Sequence, residues 1–307
     1  MRTEFTIPST GIGALHCCQW SPKGAPKAVV QIVHGIAEYI ERYDDFAGYL
    51  NDLGYLVVAE DHMGHGRTVG KEGTKGYFEG GWFTAVSDSY KLLQKTMTEY
   101  KDIPYILFGH SMGSFMARTI LEVYPDSGIT AAVICGTGWQ PRAMLPAAIG
   151  ICAMACKKVG EKNPSDVLQN LVFGGYNKRV EHPRTEYDWL TRDAKEVDAY
   201  IAHPSCGFTA STGLLRDMLT GIQFIERKEN LAKMNKDLPV LFIAGGDDPV
   251  GNYGKGVIRA AEEFRKAGMK HVSKRIFPLC RHEILNEINR QEIYEFTAKW
   301  MDSQVEK

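Results

Sequence analysis

The stretch YILFGHSMGSFMAR, Tyr105 to Arg118, decides the fold. Four apolar residues run into Gly-His-Ser-Met-Gly, and SMGSFMARTILEVYP leaves that turn as an amphipathic helical pattern. A buried strand, a tight turn and a helix in direct succession is the frame in which a serine can be held out as a nucleophile. Gly109 and Gly113, two before and two after Ser111, let strand and helix approach closely while the serine takes strained dihedrals. Gly-x-Ser-x-Gly alone is a weak pattern, and a serine capping a helix after a turn is the bland alternative. The rest of the chain has to decide.

Outward from this turn, strand and helix signals alternate. Towards the N-terminus, AVVQIVHG (Ala28 to Gly35) is a continuous apolar run of the kind buried on both faces of a parallel sheet. A helical stretch (Glu41 to Leu53), the strand YLVVA (Tyr55 to Ala59), the loop EDHMGHGRT and a helix (Trp82 to Tyr100) lead to Tyr105. Glu4 to Pro8 and Ala14 to Trp20 read as an antiparallel pair around PSTGIG. After the serine come the strand ITAAVIC (Ile129 to Cys135), a break in the rhythm, and then DLPVLFIAGGDD, a helix at Tyr253 to Gly268, the strand HVSKRIFP and a helix from Glu283 to Trp300. Alternation of this kind implies a mostly parallel sheet covered on both faces.

A serine hydroxyl needs a base, and the base needs an orienting acid. In such a sheet both come from loops at the carboxyl ends of later strands. Those loops read GGDDP and PLCRHE, so an acid and then a histidine stand where the order Ser, Asp, His requires them. His282 is the base. Asp247 and Asp248 are adjacent and only one can face the imidazole; Asp248 is favoured, with Asp247 as the alternative. For a tetrahedral intermediate the oxyanion donors are the backbone N–H of Met112 and, in HGIAEY after the strand at Ala28, that of Ile36. His34 and His110 flank the reactive loops as positioning or packing residues and are candidate pocket residues. His62 and His65 suit turn-stabilising hydrogen bonds.

Composition sets the boundaries. The chain has 307 residues and a formal net charge of -1, with acids and bases interspersed. No basic stripe points to nucleic acid. The start lacks the basic and long apolar regions of a signal peptide, and seven cysteines without framework spacing suit reduced thiols in a cytoplasm. Cys152 and Cys156 lie one helical turn apart, but no nearby histidine or second pair completes a zinc set, so no metal or cofactor is expected.

Taken together, VVQIVHGIAEYIERY, AEDHMGHGRT, FGHSMGS, GGDDPVGNYGKGV and PLCRHEILNE resemble the α/β-hydrolase superfamily, and within it the monoacylglycerol lipase and lysophospholipase group, the serine-aminopeptidase-like hydrolases. The resemblance implies an α/β-hydrolase fold: a mostly parallel sheet of about eight strands, helices on both faces and an inserted helical cap. It matches His34, Gly35, Glu38, Arg42 and Tyr43 to the HG-x-x-E-x-x-x-RY loop, supporting Ile36 as donor, and Asp248 and His282 to the acid and base. Ser114 departs from the family, which commonly has glycine there. The core is expected at 1–136 and 211–307 and the cap at 137–210.

The cap opens with WQPRAMLPAAIGICAMACKK, in which Ala143 to Cys156 is a run of 14 residues without a charge. That is too short to span a bilayer. It reads either as a core helix of the cap or as an apolar lid making transient contact with membranes or micelles. Trp139 at the first hinge lines the pocket or staples cap to core. The expected function is hydrolysis of carboxylic esters through an acyl-enzyme, with monoacylglycerol or lysophospholipid as first substrate class. A short-chain carboxylesterase is the runner-up. A peptidase comes third, because the sequence offers no evident acidic cluster for a free amino terminus, and a non-catalytic binding protein last.

Overall fold

The computed structural model describes residues 1–69, 73–141 and 143–305. The hairpin β1 (Arg2–Pro8) and β2 (Ala14–Trp20) is followed by β3 (Ala28–Val33), α1 (Asp44–Asp52), β4 (Tyr55–Glu60), α2 (Trp82–Glu99), β5 (Tyr105–His110), α3 (Met112–Val123) and β6 (Ala131–Cys135). Helices α4 (Met144–Val159), α5 (Asp166–Phe173), α6 (Ala194–Ala202), α7 (Thr212–Ile225) and α8 (Lys228–Leu231) come next. The chain then rejoins the sheet as β7 (Val240–Gly245), α9 (Lys255–Lys266), β8 (Val272–Phe277) and α10 (Arg290–Val305).

The sheet has eight strands in the order β1-β2-β4-β3-β5-β6-β7-β8. The pairs β1·β2 and β2·β4 are antiparallel and the others parallel. Every residue of β3, β4, β5, β6 and β7 is buried. Successive side chains of a strand point to opposite faces, so these runs feed two cores. Val29, Val33, Leu107 and Phe242 pack with α2, α3, α7 and α9, while Val30, Ile32, Phe108 and Ile243 pack with α1 and α10. β5 lies centrally between β3 and β6, so the loops after β3, β5, β7 and β8 open on one edge. The chain has the α/β-hydrolase fold.

Three helix starts differ from the sequence reading. The helix expected from Glu41 begins at Asp44, after a 3₁₀ turn at Ile40–Tyr43. The helix expected from Tyr253 begins at Lys255, because Asn252, Tyr253 and Gly254 take φ of 48°, 57° and 82°, a left-handed run no right-handed helix accommodates. The helix expected from Glu283 begins at Arg290, after a 3₁₀ turn at Ile284–Asn286. There the Glu283 N–H donates to Leu190 O, and the Glu287 carboxylate accepts from Arg281 N and Arg192 Nε. These partners hold the backbone in a loop. Among the described residues between β6 and β7 there is no strand, only an isolated bridge between Pro164 and Ser211.

Candidate active site

Ser111 sits at the junction of β5 and α3 with φ 54° and ψ −121°, well outside the ordinary regions for a residue with a β-carbon. Such a conformation costs about 1–3 kcal/mol and persists only where packing over-determines it. The packing is visible at the two glycines. A β-carbon on Gly113 would lie 2.0 Å from Val33 O, and one on Gly109 would lie 2.4 Å from Gly113 O. Helix α3 is therefore pressed directly onto β5 and the end of β3. Ser114 does more than fill the place of a glycine: its hydroxyl donates to Ser111 O at 2.6 Å.

The loop after β3 is fixed by an imidazole. His62 N–H donates to His34 Nε2 at 3.0 Å, which leaves the His34 proton on Nδ1, donated to Gly35 O at 2.7 Å. Burial, then His62 and His65, push the His34 pKa well below its ordinary value, consistent with that neutral tautomer. Asp61 ties the loop from the other side, accepting from Ile40 N and Arg67 N. The Ile36 and Met112 N–H groups have no hydrogen-bond partner among the described residues, and both residues line the same cavity as Ser111.

The two adjacent aspartates differ in their surroundings. Asp248 is fully buried and its Oδ1 accepts the Nδ1 hydrogen of His282 at 3.0 Å and Val250 N–H at 2.8 Å. Asp247 is exposed and tied through its backbone N–H to Cys280 O. With Nδ1 committed, His282 Nε2 is the nitrogen left for Ser111. Gly136 keeps room for the ring: a β-carbon there would meet His282 Cε1 at 3.1 Å. A segment from the helical excursion grips this loop, since His282 N–H donates to Trp189 O and Arg281 donates to Asp188 O and Thr191 O.

Behind these groups lies a buried charge cluster that the sequence carried only as a motif. Arg42 makes a two-pronged bond to Glu283 and reaches Glu38 Oε2 at 3.1 Å. Glu38 Oε1 accepts from Gly35 N–H and from Tyr43 Oη. Burial works against the Glu38 charge, but His110 and Arg42 hold its carboxyl well below the usual range. His110 is also buried, which disfavours its charge; Glu38 outweighs this and raises its pKa above the ordinary 6.5. Both its ring nitrogens face acceptors, Glu38 Oε1 at 3.3 Å and His282 O at 3.4 Å.

Ser111, Met112, Ile36, His110 and His282 line one cavity of about 630 Å³. Its apolar wall comes from Phe115 of α3, Val172 and Phe173 of α5, and Met218, Leu219 and Ile222 of α7. Two pocket candidates fall elsewhere. His34 is buried behind the loop and off the lining, and Trp139 faces a neighbouring groove with Lys228 and Arg259. Sequence reasoning also passed over Arg118. This fully buried guanidinium on α3 donates to Thr137 Oγ1 and Gly138 O, just after β6, and to Ile225 O at the end of α7. An arginine on the apolar side of an amphipathic helix was the available signal.

All seven cysteines are free and buried, Cys152 and Cys156 among them. The donors Glu4, His16, Cys18 and Glu41 lie within 4.8 Å of one another, but Arg67 already supplies a cation to both glutamates, at 2.6 and 3.0 Å.

Residues 24–289 match the model of the family described as serine aminopeptidase, S33. The chain belongs to that family. It is 28% identical over 286 residues to the monoglyceride lipase of Mus musculus, covering 90% of this chain and 85% of that one. It is 26% identical over 309 residues to the monoacylglycerol lipase of Mycolicibacterium smegmatis, covering 98% of each. Among solved structures, a thermostable carboxyl esterase from Bacillus coagulans in complex with glycerol superposes with a TM-score of 0.89 at 26% identity over 99% of both chains.

Proposed function

We propose that the protein is a serine hydrolase that cleaves monoacylglycerol through an acyl-enzyme. One observation carries the reading. A serine on a strained strand-to-helix turn, two unpartnered N–H groups and an imidazole anchored on a buried aspartate share one cavity with a long apolar wall. Similarity to monoglyceride lipases supports the substrate class.

In this reading Ser111 Oγ attacks the ester carbonyl as His282 Nε2 takes its proton, and the Ile36 and Met112 N–H groups hold the oxyanion. Each such donor is typically worth about 10²–10³ in rate. His282 returns the proton to the departing alcohol and then activates water against the acyl-enzyme, with Asp248 orienting the ring throughout. His110 lies on the lining beside them and, through Glu38, steadies the loop that carries Ile36.

Residues 137–210 act as the cap over this site, and residues 1–136 and 211–307 form the core. Among the described residues no helix is long and apolar enough to cross a membrane. Met144, Ile151 and Met154 on α4, and Val167 and Leu171 on α5, are exposed. They suit transient contact with membranes or micelles that deliver the substrate. Seven free cysteines support residence in a reducing compartment such as the cytoplasm.

A fluorophosphonate tests the chemistry. The folded protein should be labelled at Ser111 and should hydrolyse octanoylglycerol, and Ser111→Ala should lose both with its thermal unfolding intact. Absence of labelling in folded wild-type protein defeats the reading.

A further inference from the structure

The charges on the cavity lining narrow the substrate class further, on the basis of the hydrolase reading above. Four carboxylates line it and, among the described residues, no lysine or arginine does. Two of the four, Glu38 and Glu283, are paired with Arg42. The other two are Asp166, at the start of α5, and Glu186, in the segment before Trp189; both are exposed and belong to the helical excursion. Neither has an ion-pair or hydrogen-bond partner for its carboxylate among the described residues. They stand where solvent meets the cavity, so the entrance carries uncompensated negative charge.

The lining also carries the amides Gln169, Asn170 and Asn177. Asn177 Oδ1 and Gln169 Oε1 are buried acceptors without a partner among the described residues, so they suit hydroxyl or ammonium donors on a ligand. Several nearby cations are engaged elsewhere. Arg179 lies 3.6 Å over the ring of Tyr253, and in the neighbouring groove Arg259 and Lys266 both pair with Glu263.

We infer that Asp166 and Glu186 form a charge filter, so that the site takes acyl esters with neutral hydroxylated or cationic head groups and rejects those with phosphate or carboxylate head groups. Of the two monoacyl lipid classes the sequence left open, this favours the glycerol ester over the anionic lysophospholipid. Two carboxylates several ångströms from a head-group charge, acting through a water-like dielectric, give roughly fivefold to tenfold discrimination. Because both are exposed, salt screens the effect.

The test uses three octanoyl esters below their micelle concentrations: octanoylglycerol, octanoylcholine and octanoyl lysophosphatidate. At low salt kcat/KM for the lysophosphatidate should be roughly tenfold below that for the glycerol ester, with the choline ester no worse than the glycerol ester. High salt should shrink the gap, and so should the double variant Asp166→Asn, Glu186→Gln, with octanoylglycerol turnover kept. Equal hydrolysis of the anionic and neutral esters overturns the filter, and so does a gap that the double variant leaves unchanged. Those failures leave the hydrolase standing. Loss of all ester hydrolysis together with absent fluorophosphonate labelling removes both.

Discussion

Asp248 gives one carboxylate oxygen to His282 Nδ1 at 3.0 Å, while its other oxygen, Oδ2, is buried without a hydrogen-bond partner among the described residues. The imidazole is the one side chain that this carboxylate engages among the described residues, Val250 N–H being its other partner. Asp248→Asn puts an amide against Nδ1 and favours the wrong tautomer, so kcat should fall by roughly 10⁴. Asp247→Asn changes an exposed side chain and should stay within about twofold. Steady-state hydrolysis of p-nitrophenyl butyrate by both variants checks this, and a larger loss from Asp247→Asn would reverse the assignment.

Gly113→Ala should cost both stability and rate. Its new methyl would lie 2.0 Å from Val33 O, a backbone atom that cannot rotate away. Overpacking of this kind costs about 1–3 kcal/mol or more. It also pushes β3 from α3, separating the N–H groups of Ile36 and Met112. Thermal unfolding should report a lower Tm, and kcat should fall more than KM changes. Ser114→Gly, which removes one hydrogen bond without a clash, should cost only about 1 kcal/mol.

The Glu38, His110 and Arg42 cluster predicts a bell-shaped contribution to stability. The Glu38 pKa is depressed from an ordinary 4.5, so its contribution is present above that value and disappears as pH falls through its lower folded value. The His110 pKa is raised from 6.5, so its contribution is complete below that value and disappears as pH rises through its higher folded value. Both act together between the two ordinary values. Arg42→Met strands two buried carboxylates and should cost about 3–5 kcal/mol near neutral pH. Denaturant titrations across pH, on wild type and on His110→Gln, measure the terms: the variant should lose the decline on the alkaline side.

Glu122 on α3 makes the opposite prediction. Its carboxyl is buried with both oxygens unpartnered, and burial pushes its pKa well above the ordinary 4.5. A carboxyl pKa raised on folding destabilises progressively as pH rises above the unfolded value. Glu122→Gln should therefore raise the Tm at pH 8 by a few degrees, a gain of about 1–3 kcal/mol, and the gain should shrink towards pH 4. A lower Tm at pH 8 would show that the charge is compensated.

The sheet was legible because β3, β5, β6 and β7 are buried on both faces and so appear as unbroken apolar runs. Ser111, Asp248 and His282 were legible for a related reason: the fold fixes the strand ends at which such residues stand. Arg118 and Glu122 were not, since charged residues on an amphipathic helix ordinarily face water, and only the later descent of α7 onto α3 buries them. Asp166 and Glu186 were missed as a pair because 20 positions, holding the rest of α5 and a 3₁₀ turn at Tyr176–Arg179, separate them in sequence. The late start of α10 escaped for the same kind of reason, because its displaced first turn is held by Leu190, Arg192 and Arg42 from distant parts of the chain.

Arg118 holds the chain both where it leaves the sheet after β6, at Thr137 and Gly138, and where α7 ends, at Ile225. The ends of the helical excursion are thereby pinned to the same helix whose first residue follows Ser111. The proposed cap, residues 137–210, lies within that stretch. Mutations in it can reshape the cavity wall without moving the reacting atoms only while Asp188, Trp189 and Thr191 keep their hold on the His282 loop.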